Sequence, residues 1–172
     1  MEHSIRYIDD SNEKIKFIRS VLFGCALIIL GASIKIPLIP TSFTLQTFAI
    51  YILALIQTPK VALISTISYL LCASLGLPVF YDHANPFWLM GKSGGYLIAF
   101  PIAAYSIAYI RQKRSSITAL FCGMAIIFTL GFLWLIPFFG VQVALFKGVL
   151  IFLPSELLKI LGALRIAKWR NS

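Results

Sequence analysis

Acidic residues, histidine and cysteine are scarce in this sequence. Its 172 residues include 6 Asp and Glu together, 2 His and 3 Cys. Cys25, Cys72 and Cys122 lie inside apolar runs without CxxC or Cys/His spacing, so the sequence predicts neither a disulfide framework nor a metal site. We interpret the three cysteines as small packing residues. Paired carboxylates and metal-ligand spacing of the histidines are also missing, which argues against a hydrolytic or metal-dependent enzyme.

A nucleotide-binding loop is missing as well. Gly91-Lys92-Ser93 resembles the end of a GxxxxGK[ST] loop, but Pro86 stands where the first glycine is required. The chain is therefore expected to contain no ATPase of its own and to carry no cofactor.

Charged residues make up only 12% of the chain and apolar residues 59%. Soluble domains carry about 25% charged residues, so this composition predicts an integral membrane protein. Its long apolar runs are interrupted by Pro, Gly and basic clusters and show no strand-like alternation, which favours helices over a barrel. The predicted fold class is an all-α integral membrane protein with about six transmembrane helices in one bundle.

The basic residues predict how the chain is oriented in the membrane. The net charge is +9, but Lys and Arg gather in short connections between apolar runs, as in Arg111-Gln112-Lys113-Arg114. Basic connections mark the cytoplasmic side, so topology explains this charge better than nucleic-acid binding. Both termini are predicted to be cytoplasmic. Residues 1–16 would form a polar tail, and residues 17–172 a single transmembrane domain.

The apolar runs place the predicted spans. They cover about residues 17–34, a second span that ends near residue 56, and then about residues 61–75, 93 or 96 to 110, 117–135 and 154–167. A connection over 35–46, containing Pro37 and Pro40, is expected to be non-helical and to place Gln46 one turn into the second span. A bend is expected at 136–140. The apolar segment 141–152 would rise only about 18 Å as a helix, too little to cross, and is interpreted as re-entrant or interfacial.

An acid and a base stand in apolar surroundings near the start of the last span. Glu156 and Lys159 are three residues apart, so a helix places them on one face. An ionisable residue at a bilayer centre costs about 2.5–3.5 kcal/mol on insertion scales, so such residues usually face a cavity or a partner. Two other interpretations remain: the pair neutralises itself and holds two helices in register, or Glu156 is hydrated near the interface.

Small and polar residues elsewhere suggest further contacts. Ser20 and Gly24 lie four residues apart on the first span and offer a surface that another helix can approach closely, inside the bundle or from a partner. Gln46 could make an inter-helix hydrogen bond or a ligand contact. The loop over 76–96 is rich in aromatic residues and glycine, as is typical of a lid, although an interfacial aromatic belt would also explain Trp88.

Several motifs in register resemble the BioY family, the biotin-specific substrate-binding (S) components of energy-coupling factor (ECF) transporters. The resemblance extends from about the first span to the C-terminus. The residues that carry it are Ile39-Pro40-Thr41-Ser42-Phe43-Thr44-Leu45-Gln46-Thr47, Tyr69-Leu70-Leu71 leading into Gly76-Leu77-Pro78-Val79-Phe80, Gly94-Gly95-Tyr96-Leu97, and Phe152-Leu153-Pro154-Ser155-Glu156-Leu157-Leu158-Lys159.

The resemblance implies a multi-pass protein of the bacterial cell (inner) membrane, surrounded by lipid, that captures biotin from outside and mediates its uptake. It implies as partners an ECF transmembrane scaffold subunit and a pair of cytoplasmic ATPases. The family's pocket acid and lysine fall on Glu156 and Lys159, and its loop asparagine on Asn85. These three can hydrogen-bond the polar groups of biotin. Gln46, Phe80, Trp88 and Tyr96 complete the predicted substrate-binding set.

This chain departs from the family pattern in three places. Gly91-Lys92-Ser93 replaces the family's Gly-Pro-Thr, which gives a less rigid loop with a charge at the mouth. The usual pocket Asp is Glu156, one methylene longer, which moves the carboxylate by about 1 Å. The two alanines through which such components meet the scaffold are replaced by Ser20 and Gly24, the predicted partner interface.

Three other functions stay open from the sequence. The chain could serve a different vitamin, or be an intramembrane enzyme acting on lipid through Glu156 and His83. It could also be a structural membrane protein, in which apolar residues could replace the Glu156 and Lys159 pair at little cost.

Overall fold

The computed structural model describes residues 2–36, 43–80 and 85–170, and these residues are mostly helical. These described residues form six α-helices: α1 (Glu2–Ser33), α2 (Gln46–Ile56), α3 (Pro59–Ser74), α4 (Gly94–Arg111), α5 (Ser116–Gly148) and α6 (Leu153–Arg170). Short 3-10 turns at Trp88–Met90 and Leu150–Phe152 precede α4 and α6. The strands β1 (Lys35–Ile36) and β2 (Phe43–Thr44) form an antiparallel pair between α1 and α2.

Helix α1 begins before the predicted first span. It runs continuously from Glu2 to Ser33, so the polar N-terminal residues form the first turns of the helix that carries the span. The division into a tail and a membrane domain at residue 16 stays a prediction.

The connection between α1 and α2 is non-helical where the structure describes it, and Lys35 pairs with Thr44 across the two strands. Pro37 and Pro40 lie outside the described residues. Gln46 is the first residue of α2, so its predicted position one turn into the helix is wrong. Its side chain is therefore close to the strand pair.

The predicted bend in α5 occurs at Gly140 and not at Pro137. The helix continues through Pro137 and is interrupted at Gly140, whose φ of 75° is a left-handed conformation that glycine adopts without steric cost. After this kink the chain stays helical to Gly148. The interfacial position predicted for residues 141–152 stays a prediction.

The helices pack around one apolar core. Helix α3 packs against α1 and α4, α4 packs against α5, and α2 contacts α1, α4 and α6. Ile28, Ile50, Leu53, Ile107 and Leu120 are fully buried in this core. Helix α2 thus lies between the helix that carries Glu156 and the rest of the bundle.

Within the part of the chain that the structure describes, two helical stretches are long and apolar enough to cross a membrane by length and composition, Asn12–Ser33 and Ser116–Trp169. Helices α2 and α3 are apolar but shorter. Large apolar side chains are exposed along the outside of the bundle, among them Leu30, Leu133 and Leu158. Such a surface suits an apolar solvent, because monomeric soluble proteins rarely expose large contiguous apolar patches.

Candidate functional site

Glu156 and Lys159 lie in the first turns of α6 and face the inside of the bundle. At the start of this helix, the Ser155 hydroxyl donates a hydrogen bond to the Phe152 carbonyl, 2.7 Å away. Glu156 is 4% exposed and Lys159 is 7% exposed. Lys159 Nζ lies 2.5 Å from Glu156 Oε1. The two side chains therefore share one helix face, as predicted, and form a buried ion pair.

Helix α2 supplies two hydroxyl groups to this pair. Thr47 donates from Oγ1 to Glu156 Oε1 at 2.8 Å, and Tyr51 donates from its hydroxyl to Glu156 Oε2 at 2.8 Å. Thr47 and Tyr51 are four residues apart and hence on one face of α2. Both carboxylate oxygens thus accept hydrogen bonds, as a buried carboxylate requires.

Lys159 also reaches the end of β2. Its ammonium group donates to the Thr44 carbonyl at 2.8 Å and to Thr47 Oγ1 at 2.8 Å, in addition to its bond with Glu156. These three hydrogen bonds equal the number of donors on an ammonium group. The polar cluster of Thr44, Thr47, Tyr51, Glu156 and Lys159 therefore joins the last helix to the connection between α1 and α2.

Gln46 belongs to a second polar group beside this cluster. Its amide donates from Nε2 to the hydroxyl of Tyr69 at 2.6 Å, and its Oε1 accepts from Thr44 Oγ1 at 3.0 Å. The ring of Tyr69 meets Phe80 edge to face, with ring centroids 5.7 Å apart. Thr44 links the two groups, because its side chain bonds Gln46 while its carbonyl accepts from Lys159. Gln46 is thus connected to the acid-base pair through two contacts and Phe80 through four.

Trp88 and Asn85 lie in the loop before α4. Trp88 is partly buried and donates its indole N–H to Ser74 Oγ at 3.0 Å, which ties the loop to the end of α3. Asn85 is exposed, and its backbone carbonyl accepts from the Trp88 N–H at 3.2 Å. The structure therefore places Asn85 on the surface, outside the buried polar cluster.

Tyr96 faces α5. Its ring lies directly against Gly131, where any side chain would clash with it, and its hydroxyl donates to the Gly148 carbonyl at 2.6 Å. Tyr96 thus packs between α4 and α5 and connects α4 to the end of α5 by a hydrogen bond.

Gly24 and Ser20 differ in what surrounds them. Gly24 is buried against α3, where a Cβ would clash with Ser65 and come within 2.7 Å of Leu53 Cδ1. The sequence left two alternatives for this surface, and Gly24 follows the first of them, because it packs inside the bundle. Ser20 is half-buried, and its role in a partner interface stays a prediction.

Some residues named from the sequence lie outside the described residues. His83 is among them, as are Ile39, Pro40, Thr41 and Ser42 of the first family motif. Within the described residues, no group of three or more His, Cys, Asp or Glu could hold a metal ion.

The contacts of Thr44, Thr47, Tyr51 and Tyr69 were not found from the sequence. Thr47 and Tyr51 are separated from Glu156 by 109 and 105 residues, so local patterns do not reveal the contact. One signal was available, because Thr47 and Tyr51 put two hydroxyl groups at helical spacing on an otherwise apolar segment.

Comparison with known proteins identifies similar sequences and a similar fold. The model of the BioY family matches residues 6–171. The "Probable biotin transporter BioY" of Pyrococcus horikoshii is 34% identical over 156 residues, which cover 90% of this chain and 96% of that protein. The "Biotin transporter BioY" of Thermotoga maritima is 33% identical over 149 residues, covering 83% and 88%.

A solved structure has the same fold. It is described as the S-component for biotin from an ECF-type ABC transporter, and it superposes with a TM-score of 0.76 and 26% sequence identity over 94% of each chain. These similarities confirm the resemblance read from the sequence motifs. They also support the prediction that the chain is not an enzyme, because these relatives are named as transporters.

Proposed function

The chain belongs to the BioY family, and from that premise we propose that it captures biotin outside the cell and mediates its uptake as a membrane-embedded substrate-binding component. One observation carries this proposal: the sequence relatives and the solved structure with the same fold are both named for biotin. Relatives at 34% and 33% identity are named biotin transporters, and the S-component for biotin shares the fold over 94% of the chain.

The buried polar cluster is the proposed polar end of the biotin site. Biotin has two ureido N–H donors, a ureido carbonyl, an apolar thioether ring with an alkyl tail, and a carboxylate. Glu156 can accept an N–H, and Lys159 can donate to the ureido carbonyl or to the carboxylate. Tyr51 and Thr47 hold the Glu156 carboxylate in place with 2.8 Å hydrogen bonds. Such preorganisation lowers the ordering cost of binding.

The remaining predicted residues would cover the apolar part of the ligand. Phe80 and Gln46 are candidates because both contact Tyr69, next to the polar cluster. Trp88 and the exposed Asn85 are proposed as residues that meet biotin when the loop before α4 closes over it. Tyr96, in the first turn of α4, is proposed to contact the ligand from the helix that follows this loop. A largely apolar pocket with a few polar anchors is the usual design of a small-molecule site.

The proposed setting is the bacterial inner membrane, crossed about six times, with both termini in the cytoplasm. The apolar stretches Asn12–Ser33 and Ser116–Trp169 support spanning segments. The basic run at 111–114 supports a cytoplasmic turn between α4 and α5. We further propose an ECF scaffold subunit and its ATPase pair as partners, because the solved S-component of this fold comes from an ECF-type transporter.

The test is equilibrium binding of radiolabelled biotin to the full chain purified in detergent. We expect saturable binding by the parent protein and its loss in Lys159→Ala. Removing one member of a buried ion pair leaves the other uncompensated, at a cost of about 3–5 kcal/mol, so Lys159→Ala could also misfold. The matched control is the double variant Glu156→Gln with Lys159→Met, which removes both charges and keeps the side-chain volumes.

The double variant is expected to stay monodisperse and to bind biotin more than about 100-fold more weakly, because charge-assisted hydrogen bonds are worth about 1.5–3 kcal/mol each. A folded double variant that binds like the parent would show that the site lies elsewhere. A folded parent that fails to bind biotin but binds another vitamin would overturn the substrate while keeping the transport class.

A further inference from the structure

An apolar groove lies on the outside of α5. It has a volume of about 320 Å³ and is lined by Leu130, Leu133, Trp134, Pro137 and Phe138. The spacing of these residues puts them on one face of the helix, over about 12 Å of its length. Leu133 and Phe138 are exposed, so the groove opens away from the bundle. It is separate from the polar cluster of Glu156 and Lys159 and takes no part in the proposed biotin site.

The wall of this groove is held in place by the start of α4. Trp134 donates its indole N–H to the Gly91 carbonyl at 3.0 Å. Its ring lies against the backbone at Gly94, where a Cβ would come within 3.0 Å of the indole, and its Cβ crowds the neighbouring Gly95 in the same way. The one polar atom of the Trp134 side chain is therefore already bonded, and the groove offers an apolar surface to its occupant.

A cation lies beside the groove. Lys92 follows Gly91 directly, and its ammonium group lies 5.0 Å from the centroid of the Phe139 ring. The Phe139 ring in turn lies 6.4 Å, centroid to centroid, from the ring of Phe138 in the groove wall. Lys92 is exposed and remains able to meet a ligand. An apolar surface and a positively charged side chain therefore lie next to each other here.

We propose that this groove binds an anionic phospholipid, with an acyl chain along α5 and the phosphate group at Lys92. The length of the groove and its apolar wall suit a hydrocarbon chain. The charge of Lys92 favours an anionic over a zwitterionic headgroup, and a Lys near an anionic membrane surface contributes about fivefold in affinity, the equivalent of ~1 kcal/mol. The helix that carries the groove is one of those apolar enough to cross a membrane.

Trp134 provides the signal that tests this proposal. In a full chain carrying Trp88→Phe and Trp169→Phe, Trp134 is the remaining tryptophan. This protein is reconstituted into zwitterionic vesicles that contain small amounts of phospholipid brominated on the acyl chains, which quenches nearby tryptophan fluorescence. We expect the anionic brominated lipid to reach half-quenching at about a fivefold lower mole fraction than its zwitterionic counterpart.

The matched variants are Lys92→Gln and Lys60→Gln. Lys60 also lies over an aromatic ring, 5.5 Å from the centroid of Phe17, but at the start of α3 and away from the groove. Lys92→Gln should abolish the headgroup preference and Lys60→Gln should keep it. Native mass spectrometry of the chain with all tryptophans retained gives a second measurement, in which Lys92→Gln should lose bound anionic lipid.

Three results would overturn the proposal. Equal quenching by both headgroups in the parent would mean that the groove meets only bulk lipid. Loss of the preference in Lys60→Gln would assign it to the general positive charge of the protein. A folded protein whose Trp134 is quenched by neither lipid would mean that a protein segment covers the groove.

Discussion

At the scale of single residues, the acid and the base could be predicted from the sequence, whereas their hydroxyl partners could not. Glu156 and Lys159 are three residues apart in an apolar run, and the helix period alone puts them side by side. Thr44, Thr47 and Tyr51 come to them from more than a hundred residues away in the chain. That contact depends on the packing of α2 against α6, a tertiary arrangement that no local pattern encodes.

Thr47 gives the sharpest test at this scale, because its hydroxyl serves both members of the pair. It donates to Glu156 and accepts from Lys159. Thr47→Val keeps the shape of the side chain but leaves a buried donor and a buried acceptor without this partner, so we expect the free energy of unfolding to fall by about 1–3 kcal/mol. Unfolding of the detergent-purified protein measures the change.

The control for this prediction is Thr47→Ser, which keeps the hydroxyl and loses only a methyl group. It should recover most of the stability lost in Thr47→Val. Equal stability of the Val variant and the parent would contradict the bridging role of the hydroxyl.

At the scale of helices, the sequence identified a small-residue surface on α1 but not the helix that occupies it. Gly24 meets α3 in the same molecule, and Ser65 is its nearest neighbour there. Small residues at four-residue spacing permit close approach of any helix, so the pattern has no information about whether that helix belongs to the same chain. The bend in α5 could not be placed from the sequence either. Pro137 and Gly140 can both interrupt a helix, and the structure bends only at Gly140.

A larger residue at Gly24 should therefore lower the stability of the fold itself, before any effect on a partner protein. An alanine in a helix is favoured over glycine by about 0.8–1 kcal/mol, but overpacking a buried contact costs about 1–3 kcal/mol. We expect the clash with Ser65 to dominate, so that Gly24→Ala lowers the midpoint of thermal unfolding. Ala26→Leu, on the exposed face of the same helix, should change it little.

Ser65→Ala offers a way to confirm the cause. The Ser65 hydroxyl is buried and has no hydrogen-bond partner among the described residues, so removing it sacrifices no bond. In the Gly24→Ala background it should restore part of the lost stability. A purely additive double variant would mean that the two positions do not clash.

At the scale of the whole molecule, composition was enough to predict a helical membrane protein, and the motifs were enough to predict its family. Thr58 and Ser115 cap the starts of α3 and α5 with their side-chain oxygens, as observed in the structure. The arrangement of the six helices could not be derived, because apolar faces on every side of a helix leave its neighbours unspecified.

The proposed topology predicts opposite labelling at the two ends of α4. In a chain whose three cysteines are replaced by alanine, Met90→Cys and Gln112→Cys introduce single thiols at exposed positions before and after this 18-residue helix. A membrane-impermeant maleimide should label Met90→Cys in intact cells and Gln112→Cys only after lysis, because the basic turn is expected in the cytoplasm. The reverse pattern would invert the topology, and labelling of both in intact cells would exclude a crossing by α4.

The hydrogen bond from Lys159 to the Thr44 carbonyl bears on the rate of ligand binding as well as on affinity. Thr44 is paired with Lys35 across the two strands, so one end of the connection between α1 and α2 is attached to the same ammonium group that is proposed to receive the ligand. A ligand oxygen that takes this donor displaces Thr44 first. Association rates should then level off at high ligand concentration at the opening rate of this segment.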